Sequence, residues 1–301
     1  MRLALTGATG FVGNRLLERA LARGHSIAAL TRRPQAPLEG VDWVEGSLET
    51  PGPLSRICAG ADAAIHVAGV INAPDKDGFE KGNVVGTEAM LAAAKGANVP
   101  RFVHVSSLSA REPSLSLYGA SKARSETKVR TAGIDAVVVR PPAVYGPGDR
   151  ETLELFKMAK RGLVMLPPEG RLSLIHADDL SDLLLELAEG KGPAGALYEP
   201  DDGQEKGYSH KQFAEELGHA VGRKNVALSM PGAVLGAAAR IDRLVRGRKA
   251  KLTPDRAAYF AHPDWVVSAD KRPPAEVWTP KVETKAGLKK TADWYRAQGW
   301  I

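Results

Sequence analysis

The sequence predicts an α/β protein: a doubly wound parallel sheet with helices between its strands, followed by a small, mostly helical C-terminal lobe. Three observations carry this expectation. Short apolar runs alternate with helix-patterned stretches of ten or more residues. A glycine-rich turn, Thr6-Gly-Ala-Thr-Gly-Phe-Val-Gly13, joins the first apolar run to the first amphipathic stretch. Residues Asp62 to Val67 are almost continuously apolar, as in a strand buried on both faces.

Leu3, Ala4 and Leu5 make strand one, and Asn14 to Arg23 make a helix that stops at Gly24. Between them Gly7 lets the backbone turn sharply, Gly10 lets it approach a pyrophosphate, and Gly13 lets helix pack close to strand. The unpaired N–H groups and positive dipole end of that helix then face phosphates. The spacing is Gly-x-x-Gly-x-x-Gly, so its meaning comes from the order strand, turn, helix. Ser26 to Thr31 is strand two. An NAD-preferring fold places an Asp or Glu at its end, to bind the ribose 2′-hydroxyl. Here Arg32 and Arg33 stand instead, and a guanidinium binds a 2′-phosphate with paired hydrogen bonds. NADP(H) is therefore expected over NAD(H); the competing reading is two solvated arginines before an exposed loop, Pro34 to Gly40.

Val41 to Glu45 is strand three, Pro53 to Ala59 a short helix, and Asp62 to Val67 strand four, ending at Ala68-Gly69 where a cofactor can lie against the backbone. His66 reads as a core histidine. Phe79 to Gly96 is a helix, Arg101 to Val105 strand five ending at Ser106-Ser107, Tyr118 to Ala132 a helix, and Ile134 to Arg140 strand six. Past Arg150 the alternation loosens. Helices are expected at 151–162, 178–189 and 209–221, with strands at 172–175 and 195–200. The domain reading is 1–165 for the dinucleotide-binding domain, sheet-completing segments at about 172–200, and a lobe at 201–301 over the carboxyl edge of the sheet that supplies the substrate pocket. The pocket segments 70–73, 108–111 and 230–235 are more apolar than charged.

Ligands bind beyond the carboxyl ends of strands in such sheets, and Gly7, Gly69, Ser107 and Pro141 lie at those ends. Tyr118-Gly-Ala-Ser-Lys122 puts a phenol and an ammonium on one helix face. The ammonium is expected to lower the phenol pKa from its usual value of about 10. That suits an acid/base exchanging a proton with a carbonyl or alcohol while hydride moves. Ser107 can hydrogen-bond the same oxygen.

With these motifs in place the sequence resembles the extended short-chain dehydrogenase/reductase family, a Rossmann-type group of NAD(P)-dependent epimerases, dehydratases and reductases. The matching pieces are Thr6 to Gly13, Ile65-His-Val-Ala-Gly69, Asn83-Val-Val-Gly-Thr87, Phe102 to Ser107, Tyr118 to Lys122, Arg140-Pro-Pro-Ala-Val-Tyr-Gly-Pro147 and Ile175-His-Ala-Asp-Asp-Leu180, with a similar tail from Leu252. The resemblance implies Tyr118 as acid/base, Lys122 as the nicotinamide-ribose ligand that tunes it, and Ser107 as the residue polarising the substrate oxygen. It implies Thr9, Phe11 and Val12 along the pyrophosphate, Leu48, Val67, Ala68 and Gly69 on the adenosine side, and Pro141 and Val144 beside the nicotinamide. Asn83 and His176 fall at positions of structural hydrogen bonding. Two departures stand out. Gly46-Ser-Leu48 lacks the Asp that lies near adenine, and Leu108-Ser109 replaces the Asp-Glu pair of the dehydratase branch, which argues against dehydration.

Composition is that of an ordinary soluble globular chain: 44% hydrophobic, 25% charged, net charge +6. The basic stretch Arg240 to Lys251 reads as an amphipathic helix with a solvated face, and no membrane partner is expected. Cys58 is the only cysteine, so no internal disulfide forms, and a cytoplasmic setting with no leader is expected. No metal cluster and no nucleic-acid motif are found. The leading reading is an NADP(H)-dependent reductase/dehydrogenase acting on a ketone or secondary alcohol of a small organic molecule. The alternatives are an NAD(P)-dependent sugar-nucleotide epimerase and a non-catalytic cofactor sensor. A homodimer through the helices at strands four and five follows from the family analogy.

Overall fold

Strands buried on both faces can be apolar at every position, and that is how the first strands form. The computed structural model describes residues 1–247 and 253–301; residues 248–251 of the basic stretch and Leu252 of the tail lie outside the described residues. In chain order the first half runs β1 (Arg2–Thr6), α1 (Phe11–Ala22), β2 (Ser26–Thr31), β3 (Val41–Glu45), α2 (Pro51–Cys58), β4 (Ala63–His66), α3 (Lys76–Phe79), α4 (Gly86–Gly96), β5 (Phe102–Val105), α5 (Leu117–Arg130) and β6 (Ala136–Val139). Between α3 and α4, Glu80–Val85 wind as a wide π-type turn, where a single regular helix is expected. The second half runs β7 (Ala143–Tyr145), α6 (Leu153–Arg161), β8 (Leu163–Leu166), β9 (Arg171–Leu172), β10 (Leu174–His176), α7 (Ala177–Ala188), β11 (Leu197–Tyr198), β12 (Tyr208–Ser209), α8 (His210–Val221), β13 (Val226–Ser229), α9 (Gly232–Arg246), α10 (Pro254–Ala261), β14 (Asp264–Trp265) and α11 (Thr284–Ala297).

Two compact units share the chain. The first holds residues 1–141, 178–200 and 273–279. Its sheet has seven strands in the order β11-β6-β5-β4-β1-β2-β3, all parallel. Ala4, Ala28 and Ala64 are fully buried, and small residues there let α2 and α4 pack flat through Leu54, Ile57 and Met90. Helix α7 lies along α1 through an i,i+4 ladder of ion pairs, Arg15 with Asp178, Arg19 with Asp182 and Arg23 with Glu186. Burial pushes the Cys58 thiol up to about 11, so it is a packing residue rather than a nucleophile.

The second unit holds residues 142–177, 201–272 and 280–301. Its core packs Phe156, Phe213, Leu217, Leu288 and Tyr295 from α6, α8 and α11. Besides its helices it carries small sheets, β10-β7, β12-β9-β14 and β13-β8. Most of their strands are two or three residues long, too short to declare themselves by alternation.

Candidate active site

The sheet reverses direction of growth at β1, with β2 and β3 on one side and β4, β5 and β6 on the other. Such a reversal opens a crevice beyond the carboxyl ends of the strands. The segments after β1 and β4 meet there. Gly7 has φ +82°, and a Cβ on it would lie 2.7 Å from the Ala68 nitrogen. A Cβ on Gly13 would lie 2.0 Å from the Gly7 oxygen, so only glycine lets α1 begin this close to β1. The Gly10 N–H donates to the Gly7 oxygen at 2.9 Å and closes the turn. Gly10 is also the N-cap of α1, with no side chain bonded to the first-turn N–H groups and no acid among them. Phe11, Val12 and Gly13 therefore present N–H groups that have no carbonyl partner inside the helix. These residues fit a dinucleotide pyrophosphate: the turn is unfilled by side chains, electropositive and exposed at Thr9 and Gly10.

Helix α5 brings up the chemistry. Ser116 caps it by accepting the Gly119 N–H at 2.9 Å. Gly119 lets the helix lie against the preceding segment, since a Cβ there would reach 2.6 Å from the Ser109 oxygen. Tyr118 therefore sits in the first turn and Lys122 one turn on. The Tyr118 hydroxyl hydrogen-bonds with Ser107. Ser107 Oγ also accepts from the Ser109 hydroxyl at 2.9 Å and the Ser109 N–H at 3.2 Å, so its own proton is available to the phenol oxygen. Lys122 Nζ donates to the Val105 oxygen at 2.8 Å, and a Cβ on Gly69 would lie 3.8 Å from it.

The electrostatics differ from the expectation on one point. Burial raises the Tyr118 phenol above its ordinary value, and the Ser107 hydrogen bond opposes that rise. A lowered phenol was expected from Lys122, but its ammonium is directed at the Val105 carbonyl. Burial lowers the Lys122 ammonium to about 8, with the Glu126 carboxylate working the other way. Between pH 8 and its ordinary 10.5 the folded chain thus holds less proton on Lys122 than the unfolded chain does. Lys122 therefore costs stability below pH 8 and is relieved of that cost as pH rises toward 10.5.

A polar core lies behind this face, and sequence reasoning missed most of it. Glu126, fully buried, accepts from Arg140 Nε at 2.8 Å, Arg140 Nη2 at 2.7 Å and Ser106 Oγ at 2.5 Å. Arg140 also reaches Glu199 at 3.2 Å. The signal in the sequence was a charged residue closing an apolar strand, Ala136-Val-Val-Val-Arg140, opposite an acid placed four residues after Lys122. His66 is a satisfied core histidine, as expected: Thr6 Oγ1 lies 2.7 Å from Nδ1 and Thr87 Oγ1 3.1 Å from Nε2. Thr87 donates its own proton to the Asn83 oxygen, so His66 donates from Nε2 and accepts at Nδ1. It stacks on His104, and burial together with Lys122 holds both rings neutral, His66 at about 3. Asn83, in the wide turn, accepts the Val70 N–H at 2.7 Å and donates to the Val70 oxygen at 2.9 Å and to Ser121 Oγ at 2.8 Å. It thereby pins the segment after β4 to the helix that carries Tyr118.

The remaining predicted positions are more scattered. Val67, Ala68 and Gly69 follow β4 directly, and Pro141 accepts the Leu108 N–H at 2.9 Å through its carbonyl. Arg32 and Arg33 are exposed just past β2, and among the described residues neither guanidinium has an ion-pair partner. Leu48 packs where a Cβ on Gly86 would meet it at 2.6 Å. Val144 lies on β7 in the second unit. Among the described residues no group of His, Cys, Asp or Glu could hold a metal, and no helix is long and apolar enough to cross a membrane.

Comparison with known proteins identifies the family and the fold. Residues 3–199 match the model of the NAD dependent epimerase/dehydratase family. The ceramide reductase of Caulobacter vibrioides is 40% identical over 310 residues, covering 99% of this chain and 96% of that one. The 4-hydroxy-2-methyl-3-oxo-4-farnesyl-3,4-dihydroquinoline-1-oxide ketoreductase of Stigmatella aurantiaca is 34% identical over 230 residues, covering 67% and 69%. Among solved structures, MoeE5 in complex with UDP-glucose and NAD superposes with a TM-score of 0.77 at 20% identity, covering 99% of both chains, which shows the fold. The chain belongs to the NAD dependent epimerase/dehydratase family, in the extended short-chain dehydrogenase/reductase group, and is an NAD(P)-dependent oxidoreductase.

Proposed function

We propose that this chain reduces the ketone of an amphiphile with a long hydrocarbon portion, taking hydride from NADPH. The observation that carries the reading is the Ser107–Tyr118 hydrogen bond one helical turn from a buried ammonium. The cofactor, when bound, supplies the hydride. The chain's own residues do the rest. Ser107 and Tyr118 hold the carbonyl oxygen, and Tyr118 gives its proton to the oxygen as the alcohol forms. A phenol raised by burial keeps its proton at neutral pH, the form that an acid needs in reduction. Lys122 and the N–H groups of Phe11, Val12 and Gly13 would hold the cofactor, and Arg32 with Arg33 would hold its 2′-phosphate.

The substrate class rests on the two relatives, one named for a ceramide and the other for a farnesylated 3-oxo ring system. The apolar character of Val70 to Ala73 agrees with it. The test is NADPH oxidation with long-chain 3-oxo compounds set beside UDP-sugars. Epimerised sugar nucleotide with no net NADPH consumption would replace this reading with an epimerase.

Two further outcomes belong here. Replacing Arg32 and Arg33 together with Ser should raise KM for NADPH about tenfold or more and leave KM for NADH within about twofold, because only the phosphate contacts are lost. Steady-state kinetics with both coenzymes checks this. The pH profile of kcat/KM for NADPH reports the free protein, so it should fall as pH rises through about 8, where Lys122 loses its charge.

A further inference from the structure

We infer that helix α9 of the second unit is a docking surface for an anionic phospholipid bilayer. The helix is apolar on two faces. One face packs: Leu235 and Ala239 are buried with Ala257 of α10, beside Met230 and Ala261. The other is open to solvent. Val234, Ile241, Leu244 and Val245 are 51%, 60%, 84% and 77% exposed. Their spacing of seven, then three and four, places them on one stripe of a helix. A helix resting on its own protein buries one such stripe and turns charges outward. This one turns a second apolar stripe outward, and Ile241, Leu244 and Val245 of the expected amphipathic helix are on it.

The charges beside the stripe choose the occupant. Arg240 is exposed at its border; Arg246 lies on the packed side and holds Asp242 at 3.1 Å, and the stretch Arg240 to Lys251 as a whole carries six cations in sequence against that one acid. Large apolar groups at the depth of acyl chains, with arginines at the depth of phosphates, are the pattern of a helix lying in a membrane interface. A second copy fits less well, because a twofold pairing of two stripes sets arginines near arginines. A second exposed apolar patch belongs to the same unit. Leu163 and Met165 of β8 stand opposite Val226 and Leu228 of β13 in parallel register, and all four are exposed. The chain runs from that ribbon through Met230 and Pro231 into α9.

This inference rests on the proposed function in one respect: an amphiphilic ketone partitions into a bilayer, so its reductase gains by working at the surface. The docking itself needs no substrate, and its test uses none. The full chain is floated with vesicles of phosphatidylcholine alone and of phosphatidylcholine with about one third phosphatidylglycerol. Binding to the anionic vesicles is expected, about tenfold weaker with phosphatidylcholine alone or in about 0.5 M salt. Leu244→Glu with Val245→Glu should reduce the anionic binding at least about tenfold. Because both side chains are highly exposed, turnover of a water-soluble ketone by that variant should stay unchanged. Arg240→Gln should weaken the preference for anionic vesicles. Wild-type chain left at the bottom of the gradient, or a double variant that floats as well as wild type, would overturn the inference. So would a concentration-dependent dimer abolished by the same variant with no vesicle binding, which assigns the stripe to a second copy. Vesicle binding without ketone reduction would leave docking intact and remove only the proposed reaction.

Discussion

Replacing Tyr118 with Phe is expected to lower kcat/KM for ketone reduction by about 10²–10⁴-fold and to leave the fold in place. The substitution removes one oxygen. Ser107 keeps its two hydrogen bonds from Ser109, and only its own half-buried proton loses the phenol as acceptor. The ring keeps its tilted contact with Phe79 at 6.2 Å between centroids. Stability should therefore change by less than about 1 kcal/mol. KM for NADPH should move little, because Lys122 and the glycine turn are untouched. A fall in kcat with KM for the coenzyme unchanged is the signature of an interaction made in the transition state. Steady-state NADPH oxidation together with a circular dichroism melt checks both halves. Undiminished turnover of a responsive substrate would remove Tyr118 as the proton donor.

Glu126→Ala should have the largest effect on stability, a loss of about 3–5 kcal/mol by urea denaturation. Glu126 takes two hydrogen bonds from Arg140 and one from Ser106, all within the core. Its removal leaves the guanidinium with Glu199 alone, and leaves Lys122 without the one carboxylate that supports its charge. The second consequence separates this substitution from simple loss of packing. The Lys122 ammonium should deprotonate below 8, so the alkaline fall in kcat/KM should move to lower pH in whatever folded variant remains. Glu126→Gln, which keeps the volume, should show the same shift in profile with a smaller loss of stability.

The fold was legible where side chains must be small or where both faces are buried. Strands β2 and β3 begin and end where the apolar runs do, and Gly7 and Gly13 of the first turn meet backbone that excludes a Cβ, while a Cβ on Gly10 would lie 3.3 Å from the Gly7 oxygen. Tyr118 and Lys122 were legible because a spacing of four fixes a shared helix face whatever surrounds it. The sign of the tyrosine shift was not, since it depends on where Nζ points, and a spacing says nothing of a carbonyl on another strand. Glu126 and Arg140 were hidden for the same reason: they are neighbours only after the sheet has formed. Short strands such as β9, β12 and β14 exist because the chain passes a partner for two residues, and two residues have no periodicity. The outward stripe of α9 was visible as pattern, but which of its two apolar faces finds a partner is a fact of packing.

The wide turn at Glu80–Val85 has a consequence for how this helix can be altered. A π-type turn fits one residue more than regular winding would over the same rise, and each residue advances a helix by about 100°. Downstream, α4 is phased so that Met90 and Leu91 meet the sheet. Upstream, Phe79 is phased to touch the Tyr118 ring. Because the surplus residue is taken up within the turn, excising one residue there should restore regular winding and leave those two settings in step, whereas excising one from the regular winding of α4 would turn them about 100° apart. The surplus residue works like slack in a line: the chain carries Asn83 outward through the loosened winding to Val70 and Ser121, while the same rod still serves the sheet at one end and the phenol at the other.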